Sequence, residues 1–335
     1  MRKWLGIFIL FFLLVIFYLL KDVNFYEVGN YFIQMDLQYF ILACLSYFGT
    51  FLLGSLRIKY LCKDLKKINF FYMLKVTLAG SFVNTCTPGA SIGGEPLKSY
   101  FLSKKYKKSQ TKFLERILID KFFYFFVFGF FLVFSILFIL FYINIPYNLK
   151  IILQITLFSI FLIFVIFFIV TFKKFQFNLL FFAKFFYRAR FIKNGFKDVY
   201  SFEKYLRKKL KGFKTFFKKT LKNQKIVFFS ILLSVLNWLL LYFVSWFLFL
   251  SFGVNINFLS IIIVVTLGTL AGEVSPSPGG VGVTESAMFL LYSVMGINFS
   301  LAIIVTLMSR LIFYFYSLAL GGISLVSLRL DLKKS

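Results

Sequence analysis

Two glutamates, each following a Pro-Gly pair inside an apolar segment, are the residues of this chain best suited to chemistry. Five residues separate the pair that begins at Pro88 from Glu95, and five separate the pair that begins at Pro278 from Glu285. A carboxylate in an apolar environment can pair with a cation, carry a proton or act as a general base. Breaks of this kind in corresponding halves of an apolar chain indicate the binding site of a transporter.

Both glutamates lie where a helix is predicted to begin. Pro96 suits the first position of a helix that starts at Glu95, and Thr284 is a suitable N-cap for the second helix. The free N–H groups at such helix starts bind anions, including phosphate groups. The glycines expected to let a ligand approach the backbone are Gly93, Gly94, Gly279, Gly280 and Gly282. An anion-binding helix end beside a carboxylate suits either a head group that carries both signs or a proton-coupled site.

Nine charged residues lie in or near segments apolar enough to enter a membrane. The acidic members are Glu95, Glu115, Asp120, Glu273 and Glu285, and the basic members are Lys75, Arg116, Lys121 and Arg310. Each charge at the centre of a membrane helix costs about 2.5 to 3.5 kcal/mol, so the near balance of signs favours a paired, hydrated interior. Arg116 and Asp120 are four residues apart and are expected to share a helix face, as an ion pair or as part of the site.

Arg310 lies about 12 residues into the last apolar segment, or about 18 Å along a helix, which is too deep for easy contact with either surface. It therefore needs an internal partner, and a carboxylate of one of the broken segments is the natural candidate. A lipid phosphate would compete for the same guanidinium. Release of the carboxylate by an arriving phosphate would couple binding to opening.

The composition indicates a polytopic membrane protein, because 60% of the 335 residues are hydrophobic and gather in long runs. The net charge of +27 would suggest nucleic acid in a soluble protein, but lysine and arginine gather in loops, as the positive-inside rule predicts. There is no histidine, and the three cysteines lack metal-ligand spacing, so we expect no metal and no cofactor. Membrane lipids are the expected partners, nucleic acid is not, and a homo-oligomer is left open.

We predict about six spanning helices and two broken segments that form re-entrant helical hairpins. The predicted spans are 4–20, 37–56, 113–142, 151–172, 226–250 and 299–328, and the broken segments are 68–97 and 258–296. Basic residues flank the first broken segment on both sides, whereas the second follows an uncharged loop. The hairpins should therefore enter from opposite faces, as an inverted repeat, and their tips should meet near the midplane. Complete crossing by both hairpins would give about eight spans instead.

The chain is predicted to form one membrane domain, with half-repeats at about 37–172 and 226–328. Between them, 173–225 is strongly basic, and it fits either an amphipathic surface helix or an ordinary positive-inside loop. Arg57 begins a shorter basic stretch, 57–67, that we also expect in the cytoplasm. These loops place both termini of a cell-membrane protein in the cytoplasm.

The pattern of these residues resembles the lysylphosphatidylglycerol synthase transmembrane family, also called the flippase-like domain family. The matching positions are Arg57, Asn84, Pro88, Gly94 to Lys98, Glu115, Arg116, Asp120, Pro278 to Glu285 and Arg310. They follow one another along nearly the whole chain, and the Pro-Gly-Gly-x-Gly-x-x-Glu element is the most specific of them. Lys98 stands where the family pattern leads us to expect arginine. The candidate substrate-binding residues are Arg57, Asn84, Pro88, Gly93, Gly94, Glu95, Lys98, Glu115, Arg116, Asp120, Glu273, Pro278, Gly279, Gly280, Gly282, Glu285 and Arg310.

The resemblance implies movement of a lipid between leaflets. Larger members of the family fuse this region to a soluble aminoacyl-transfer domain, whereas this chain ends at Ser335 after the last span, so lipid aminoacylation is not expected. The leading hypothesis is a flippase for a phosphate-bearing lipid, with a lysyl- or sugar-modified head group among the options. The alternative is a membrane enzyme, or its membrane subunit, acting on a polyprenyl-phosphate or glycolipid with Glu95 or Glu285 as general base. A scaffold bundle without a substrate is a third hypothesis.

Overall fold

The computed structural model describes residues 33–87, 93–142 and 199–333, together with residues 29, 31, 150–151, 154–159 and 162. The predicted span 4–20, most of the predicted span 151–172 and the tip residue Pro88 lie outside the described residues. The regular elements of the described part are all helices. The chain divides into two compact units, one made of Met1–Ser135 with Phe229–Ser335 and the other of Ile136–Phe228.

The first half of the chain forms four described helices. They are α1 (Leu37–Leu61), α2 (Phe70–Cys86), α3 (Gly94–Tyr106) and α4 (Gln110–Tyr142). Asp36 caps α1 by accepting a hydrogen bond from the N–H group two residues later (2.8 Å). Asn69 caps α2 through the N–H group of Tyr72 (3.2 Å). These caps fix the helix starts, because the first N–H groups of a helix have no partner within it.

The second half repeats this arrangement after a basic helix. Its helices are α5 (Val199–Lys222), α6 (Gln224–Ser251), α7 (Phe258–Val274), α8 (Val283–Val294), α9 (Phe299–Tyr314) and α10 (Gly321–Lys333), with a π-helical turn at Phe315–Leu320. Helices α2 and α7 each have 17 residues, and an asparagine caps each of them, Asn69 and Asn257. Matching hairpin helices of this kind are expected of an internal repeat.

Among the described residues, four helical stretches are long and apolar enough to cross a membrane: α1, α4, α6 and Phe299–Lys333. Helix α7 is apolar but shorter than the hydrocarbon core of a membrane. Its 17 residues cover about 25 Å, and the hydrocarbon core is about 30 Å thick. Large apolar side chains such as Phe130 and Leu311 are exposed on the long helices, as on surfaces that face lipid. The predicted all-α polytopic membrane fold is confirmed.

Helices α2 and α3 form a hairpin whose two ends lie together. The N–H group of Asn69, just before α2, donates a hydrogen bond to the hydroxyl of Tyr106, the last residue of α3 (3.0 Å). The end of α1 and the start of α4 lie at the same end of this unit, where Asp64 pairs with Arg116 at 2.7 Å. The first broken segment therefore enters and leaves on one side, and a complete crossing is excluded for it. We call this side the basic end, from Lys59, Lys63, Lys66, Lys67, Lys104, Lys105, Lys107, Lys108 and Lys112.

Helices α7 and α8 form a second hairpin at the opposite end of the unit. Near the end of α6, the ring of Trp246 contacts Phe258 at the start of α7, with centroids 5.7 Å apart. One turn further, Phe249 contacts Tyr292 near the end of α8, at 5.0 Å. The start of α1 lies at this end too, because the N–H group of Asp36 donates to the last carbonyl oxygen of α6 (2.7 Å). The opposed entry predicted for an inverted repeat is confirmed.

The tips of the two hairpins touch inside the unit. A Cβ atom on Gly279 of the second tip would lie 3.2 Å from the methyl carbon of Thr85, near the end of α2, and 3.3 Å from its carbonyl oxygen. The φ angle of Gly279 is 63°, in the left-handed region that glycine favours. This glycine therefore allows both the turn and the close approach of the two tips. The predicted contact between the tips is confirmed.

In the unit Ile136–Phe228, α5 is the longest described helix that lies wholly within it. The helical part of the prediction for 173–225 is confirmed over Val199–Lys222, whereas 173–198 lies outside the described residues. The sequence of α5 is strongly amphipathic, and its Phe213 and Phe217 stack one turn apart, with ring centroids separated by 5.9 Å. A surface helix remains a prediction for this segment.

Candidate functional site

A cavity of about 360 Å³ lies where the hairpin tips meet, within the unit formed by Met1–Ser135 and Phe229–Ser335. Both hairpins and the long helices α1, α4, α6 and α9 contribute residues to its lining. The predicted site residues that line it are Arg57, Asn84, Glu95, Lys98, Asp120, Glu273, Gly279, Gly280 and Arg310. The fold thus brings together predicted residues that are far apart in both halves of the chain.

The other predicted site residues do not line the cavity. Those with described positions are Gly93, Gly94, Glu115, Arg116, Pro278, Gly282 and Glu285. Pro88 lies outside the described residues, so its placement in the site stays a prediction. Glu285 and Gly282 nevertheless bear on the cavity, because Glu285 binds a cation of the lining and Gly282 holds Glu285 in place.

Gly93 and Gly94 serve the packing of the first hairpin. The N–H group of Gly94 donates to the side-chain oxygen of Asn84 (2.6 Å), and a Cβ atom on Gly94 would overlap the carbonyl oxygen of Gly80. A Cβ atom on Gly93 would lie 2.6 Å from the hydroxyl of Thr87. The hairpin's own side chains and backbone thus fill the space beside these two glycines, and the close approach of a ligand to them stays a prediction.

Glu95 lies in the first turn of α3, at the wall of the cavity, and is only 3% exposed. Its Oε1 atom accepts a hydrogen bond from the Lys121 Nζ atom (3.3 Å) and lies 3.7 Å from the Lys98 Nζ atom. Its Oε2 atom is buried and has no hydrogen-bond partner among the described residues. The helix begins at Gly94, one residue before the predicted start, which puts Pro96 at its third position instead of its first.

The prediction that Arg310 pairs with a carboxylate of a hairpin is confirmed. Its Nε group donates to Glu285 Oε1 (2.7 Å), and its Nη2 group donates to the carbonyl oxygen of Gly279 (3.1 Å). The hydroxyl of Tyr314 lies 3.3 Å from the same Glu285 oxygen and donates to it. Because both side chains are largely buried, these charge-assisted hydrogen bonds hold the second tip against α9.

The start of α8 differs from the prediction. The helix begins at Val283 with Gly282 as its N-cap, so the prediction of Thr284 as N-cap is wrong. Glu285 reaches back and accepts a hydrogen bond from the N–H group of Gly282 (2.7 Å), which is half of a capping box. The φ of 82° at Gly282 suits glycine, and the glycine replaces the hydroxyl residue on which the sequence signature relies.

Two arginines pair differently from the prediction. Arg57 was expected in a loop, but it belongs to α1 and is buried. Its Nε and Nη2 groups donate to the two oxygens of Asp120. Its Nη1 group donates to the hydroxyl of Ser234 (3.0 Å). Arg116 instead binds Asp64 (2.7 Å), so of the two alternatives left open for Arg116 and Asp120, the ion pair between them is wrong. A guanidinium from a facing helix can grip both carboxylate oxygens, and that geometry is stronger than a single neighbour contact.

Sequence reasoning missed several polar residues of the lining. They are Thr85, Lys121, Asn237, Ser277 and Ser309. Lys121 was recognised as a charge at membrane depth, and its place beside Asp120 was the signal that could have put it in the site. Asn237 is an amide in the middle of the apolar α6, and its side chain donates to the carbonyl oxygen of Thr50 (2.8 Å).

The charged side chains around the cavity balance. The described cations of the lining are Arg57, Lys98, Lys121 and Arg310, and the described carboxylates of the lining are Glu95, Asp120 and Glu273. Glu285, the partner of Arg310, makes the balance even. An anion that binds one of these cations must therefore share the cation with a carboxylate or displace the carboxylate from it.

A family model of the lysylphosphatidylglycerol synthase TM region matches residues 3–321 of the chain. The chain belongs to this family. The resemblance inferred from the broken segments is thereby confirmed.

Curated relatives are described as UPF0104 membrane proteins. One from Pyrococcus horikoshii is 27% identical over 307 residues, which are 87% of this chain and 87% of that protein. One from Methanocaldococcus jannaschii is 27% identical over 311 residues, 90% of this chain and 88% of its own length. One from Methanothermobacter thermautotrophicus is 27% identical over 263 residues, 77% of this chain and 75% of its own length. The similarity thus covers most of the chain.

Proposed function

We propose that the protein moves a phosphate-bearing lipid between the leaflets of a membrane, and that the head group passes through the cavity at the hairpin tips. The observation that carries this proposal is a cavity lined with cations inside a unit of membrane-length helices. Ionisable residues at membrane depth are costly and mark the paths of substrates and ions. Membership of the lysylphosphatidylglycerol synthase TM family supports the same class of substrate.

The chemistry of the lining suits a phosphate group. Lys98 and Lys121 present two ammonium groups to one region of the cavity, and Arg310 presents a guanidinium beside Gly279. Guanidinium groups bind phosphate oxygens in pairs, and ammonium groups bind them as point charges. The glycine backbone at the second tip lets a head group come close to the chain.

The size of the cavity suits a head group and not a whole lipid. Its volume of about 360 Å³ falls at the lower end of the range for small-ligand sites, about 300–1,000 Å³. We propose that the acyl chains stay in the bilayer while the polar head group crosses between the hairpins. The tips then lie near the midplane, where the binding sites of repeat-built transporters lie.

The charge distribution supports one orientation. We propose that the basic end faces the cytoplasm of a cell membrane and that both termini lie on that side, because lysine and arginine gather in cytoplasmic loops. The first hairpin then opens to the cytoplasm and the second to the opposite face. Lysyl- and sugar-modified phospholipids fit this proposal as well as unmodified ones, since the phosphate is common to all of them.

Reconstitution into liposomes tests the proposal. The purified protein is incorporated into phosphatidylcholine vesicles that carry trace fluorescent phosphatidylglycerol, phosphatidylcholine or diacylglycerol, and loss of outer-leaflet label to a membrane-impermeant quencher reports the leaflet. We expect the protein to speed the movement of the phosphatidylglycerol probe relative to protein-free vesicles, and to leave the movement of diacylglycerol, which crosses unaided, unchanged. Chemical conversion of a phosphate-bearing lipid in detergent, without movement in vesicles, would contradict transport and favour the membrane enzyme.

A further inference from the structure

We propose that the protein takes up one proton on Glu95 each time an anionic head group binds in the cavity. The inference rests on the proposed function and adds the ion that accompanies the lipid. It predicts that binding of an anionic lipid depends on pH, whereas movement of the lipid between leaflets alone requires no such dependence. Three features of the structure support it: the contacts of Glu95, the charges that surround it, and the balance of the cavity.

Glu95 meets both of its cations through one oxygen. Both of its neighbouring ammonium groups, of Lys98 and Lys121, approach the same oxygen, Oε1, at 3.7 and 3.3 Å. The other oxygen, Oε2, is buried without a hydrogen-bond partner among the described residues. A buried carboxylate oxygen without a donor among the described residues is a place that can accept a proton.

Two other carboxylates around the cavity, Glu285 and Asp120, are held on both oxygens, whereas Glu273, which interacts with Lys121, also has a buried Oε2 atom without a hydrogen bond among the described residues. Glu285 accepts from Arg310 and Tyr314 on Oε1 and from a backbone N–H group on Oε2. Asp120 accepts from two nitrogens of Arg57, one on each oxygen. A bound phosphate at Lys98 and Lys121 leaves these hydrogen bonds of Glu285 and Asp120 in place, whereas it removes the cations that Glu95 contacts.

The charges that face Glu95 come from three helices. Lys98 is on α3 itself, Lys121 is on α4, and Glu273, which interacts electrostatically with Lys121, is on α7. With Glu95 ionised, these four groups sum to zero.

Helices α2 and α10 also pack against α3. On α2 the charged residue is Lys75, which pairs with Asp331 of α10 at 3.8 Å and is exposed. Arg329 and Lys333 of α10 are exposed too. These groups face water and therefore contribute less to the field at Glu95 than the buried lysines do.

An anionic head group disturbs this balance. When a phosphate binds Lys98 and Lys121, Glu95 loses the partners of its Oε1 atom, and the group of charges acquires a net negative charge. An unpaired carboxylate at this depth would be costly, and a proton from the aqueous phase neutralises it. The carboxylate becomes a carboxylic acid, whose O–H group can donate to a phosphate oxygen. When the head group leaves, the proton returns to water and the lysines return to Glu95.

An amine of the head group could also neutralise Glu95, but it fits beside this residue less well than a proton does. A ligand amine would have to approach Glu95 beside two ammonium groups already within 4 Å of it, and like charges repel. A proton adds no volume and needs no space in the cavity. The geometry therefore favours proton uptake over capture of a head-group amine.

Calorimetry of ligand binding measures the proton directly. The full-length protein in a neutral detergent is titrated with dihexanoyl phosphatidylglycerol in two buffers of different ionisation enthalpy, at several pH values from 5 to 8. The difference in heat between the buffers gives the protons taken up per lipid. We expect uptake approaching one proton per lipid at its maximum, and an affinity that falls by up to tenfold per pH unit as pH rises through that window.

Two matched variants locate the proton. Glu95→Gln should abolish the uptake and remove the pH dependence of binding, whereas Glu273→Gln, in the same cavity, should keep the uptake whatever its affinity. Uptake that persists in Glu95→Gln and disappears in Glu273→Gln would overturn the assignment. The wild-type measurement depends on no variant, so zero uptake at every pH overturns the proposal even if Glu95→Gln fails to fold.

The outcomes separate this inference from the proposed function. Binding of the anionic lipid without any proton uptake contradicts the inference alone. Absence of binding to the anionic lipid contradicts both. Binding of inorganic phosphate by a protein that ignores the lipid would contradict the lipid substrate, and its proton uptake would not support protonation of Glu95, because phosphate itself titrates in this pH range.

Discussion

Replacing Arg310 by glutamine should stop lipid movement while leaving the protein folded. The change removes the hydrogen bonds to Glu285 (2.7 Å) and to the carbonyl oxygen of Gly279 (3.1 Å). Hydrogen bonds to charged groups contribute about 1.5–3 kcal/mol each, and the side chains of Arg310 and Glu285 are only 14% and 12% exposed. Because Tyr314 and a backbone N–H group still hold Glu285, we expect a loss of about 2–3 kcal/mol in the free energy of unfolding.

The measurements are thermal unfolding in detergent and movement of labelled phosphatidylglycerol in vesicles. Glu285→Gln should also stop movement, and Arg310→Lys should fail substantially, because an ammonium cannot hold the carboxylate and the carbonyl oxygen together. A double-mutant cycle between Arg310→Gln and Glu285→Gln should show a coupling energy of at least 1 kcal/mol, as expected for residues in contact. Wild-type movement by Arg310→Gln would refute the assignment and make Arg310 a packing residue. Loss of both folding and movement would leave the ion pair as a structural feature and contradict its role in coupling.

Three further predictions test the fold. Gly94→Ala should destabilise the protein by about 1–3 kcal/mol in thermal unfolding, because a Cβ atom there overlaps a backbone carbonyl oxygen of α2. Gly322→Ala is the control and should be tolerated, because its Cβ atom would make ordinary contacts. Equal stability of the two variants would contradict the packing of the first hairpin. Cysteines placed at Phe71 and Lys104 should react with a membrane-impermeant maleimide from the same face, and labelling from opposite faces would show that the first hairpin crosses. A peptide of 199–222 should bind anionic vesicles more tightly than neutral ones, by about 1 kcal/mol per basic residue near the surface, and equal binding to both would refute a surface helix.

The hairpins were predictable because their signals are local. Proline and glycine interrupt the apolar runs at matching places, and asparagines cap α2 and α7 at the first residue before each helix. The lysines on both sides of the first hairpin then predicted that it enters and leaves at one face. The meeting of the tips followed from the opposed directions, and the contact between Gly279 and Thr85 agrees with it.

The ion pairs were less predictable because they depend on tertiary packing. Arg57 and Asp120 are 63 residues apart, so spacing along the chain carries no signal for their contact, and the near neighbour Arg116 was the local alternative. Arg57 was also placed in a loop, because a basic residue at the end of an apolar run usually marks the membrane surface. Arg310 was predicted correctly by a different kind of reasoning, since its depth alone required a buried acidic partner.

The most direct test of the head-group pathway compares two lysines. Lys121 lines the cavity and binds Glu95, whereas Lys75 lies outside it and pairs with Asp331 at the exposed basic end. In vesicles with labelled phosphatidylglycerol, Lys121→Gln should slow movement by roughly tenfold or more, the equivalent of losing one charge-assisted hydrogen bond, and Lys75→Gln should stay within about twofold of wild type. Wild-type rates in Lys121→Gln, or equal losses in both variants, would contradict passage of the head group through this cavity.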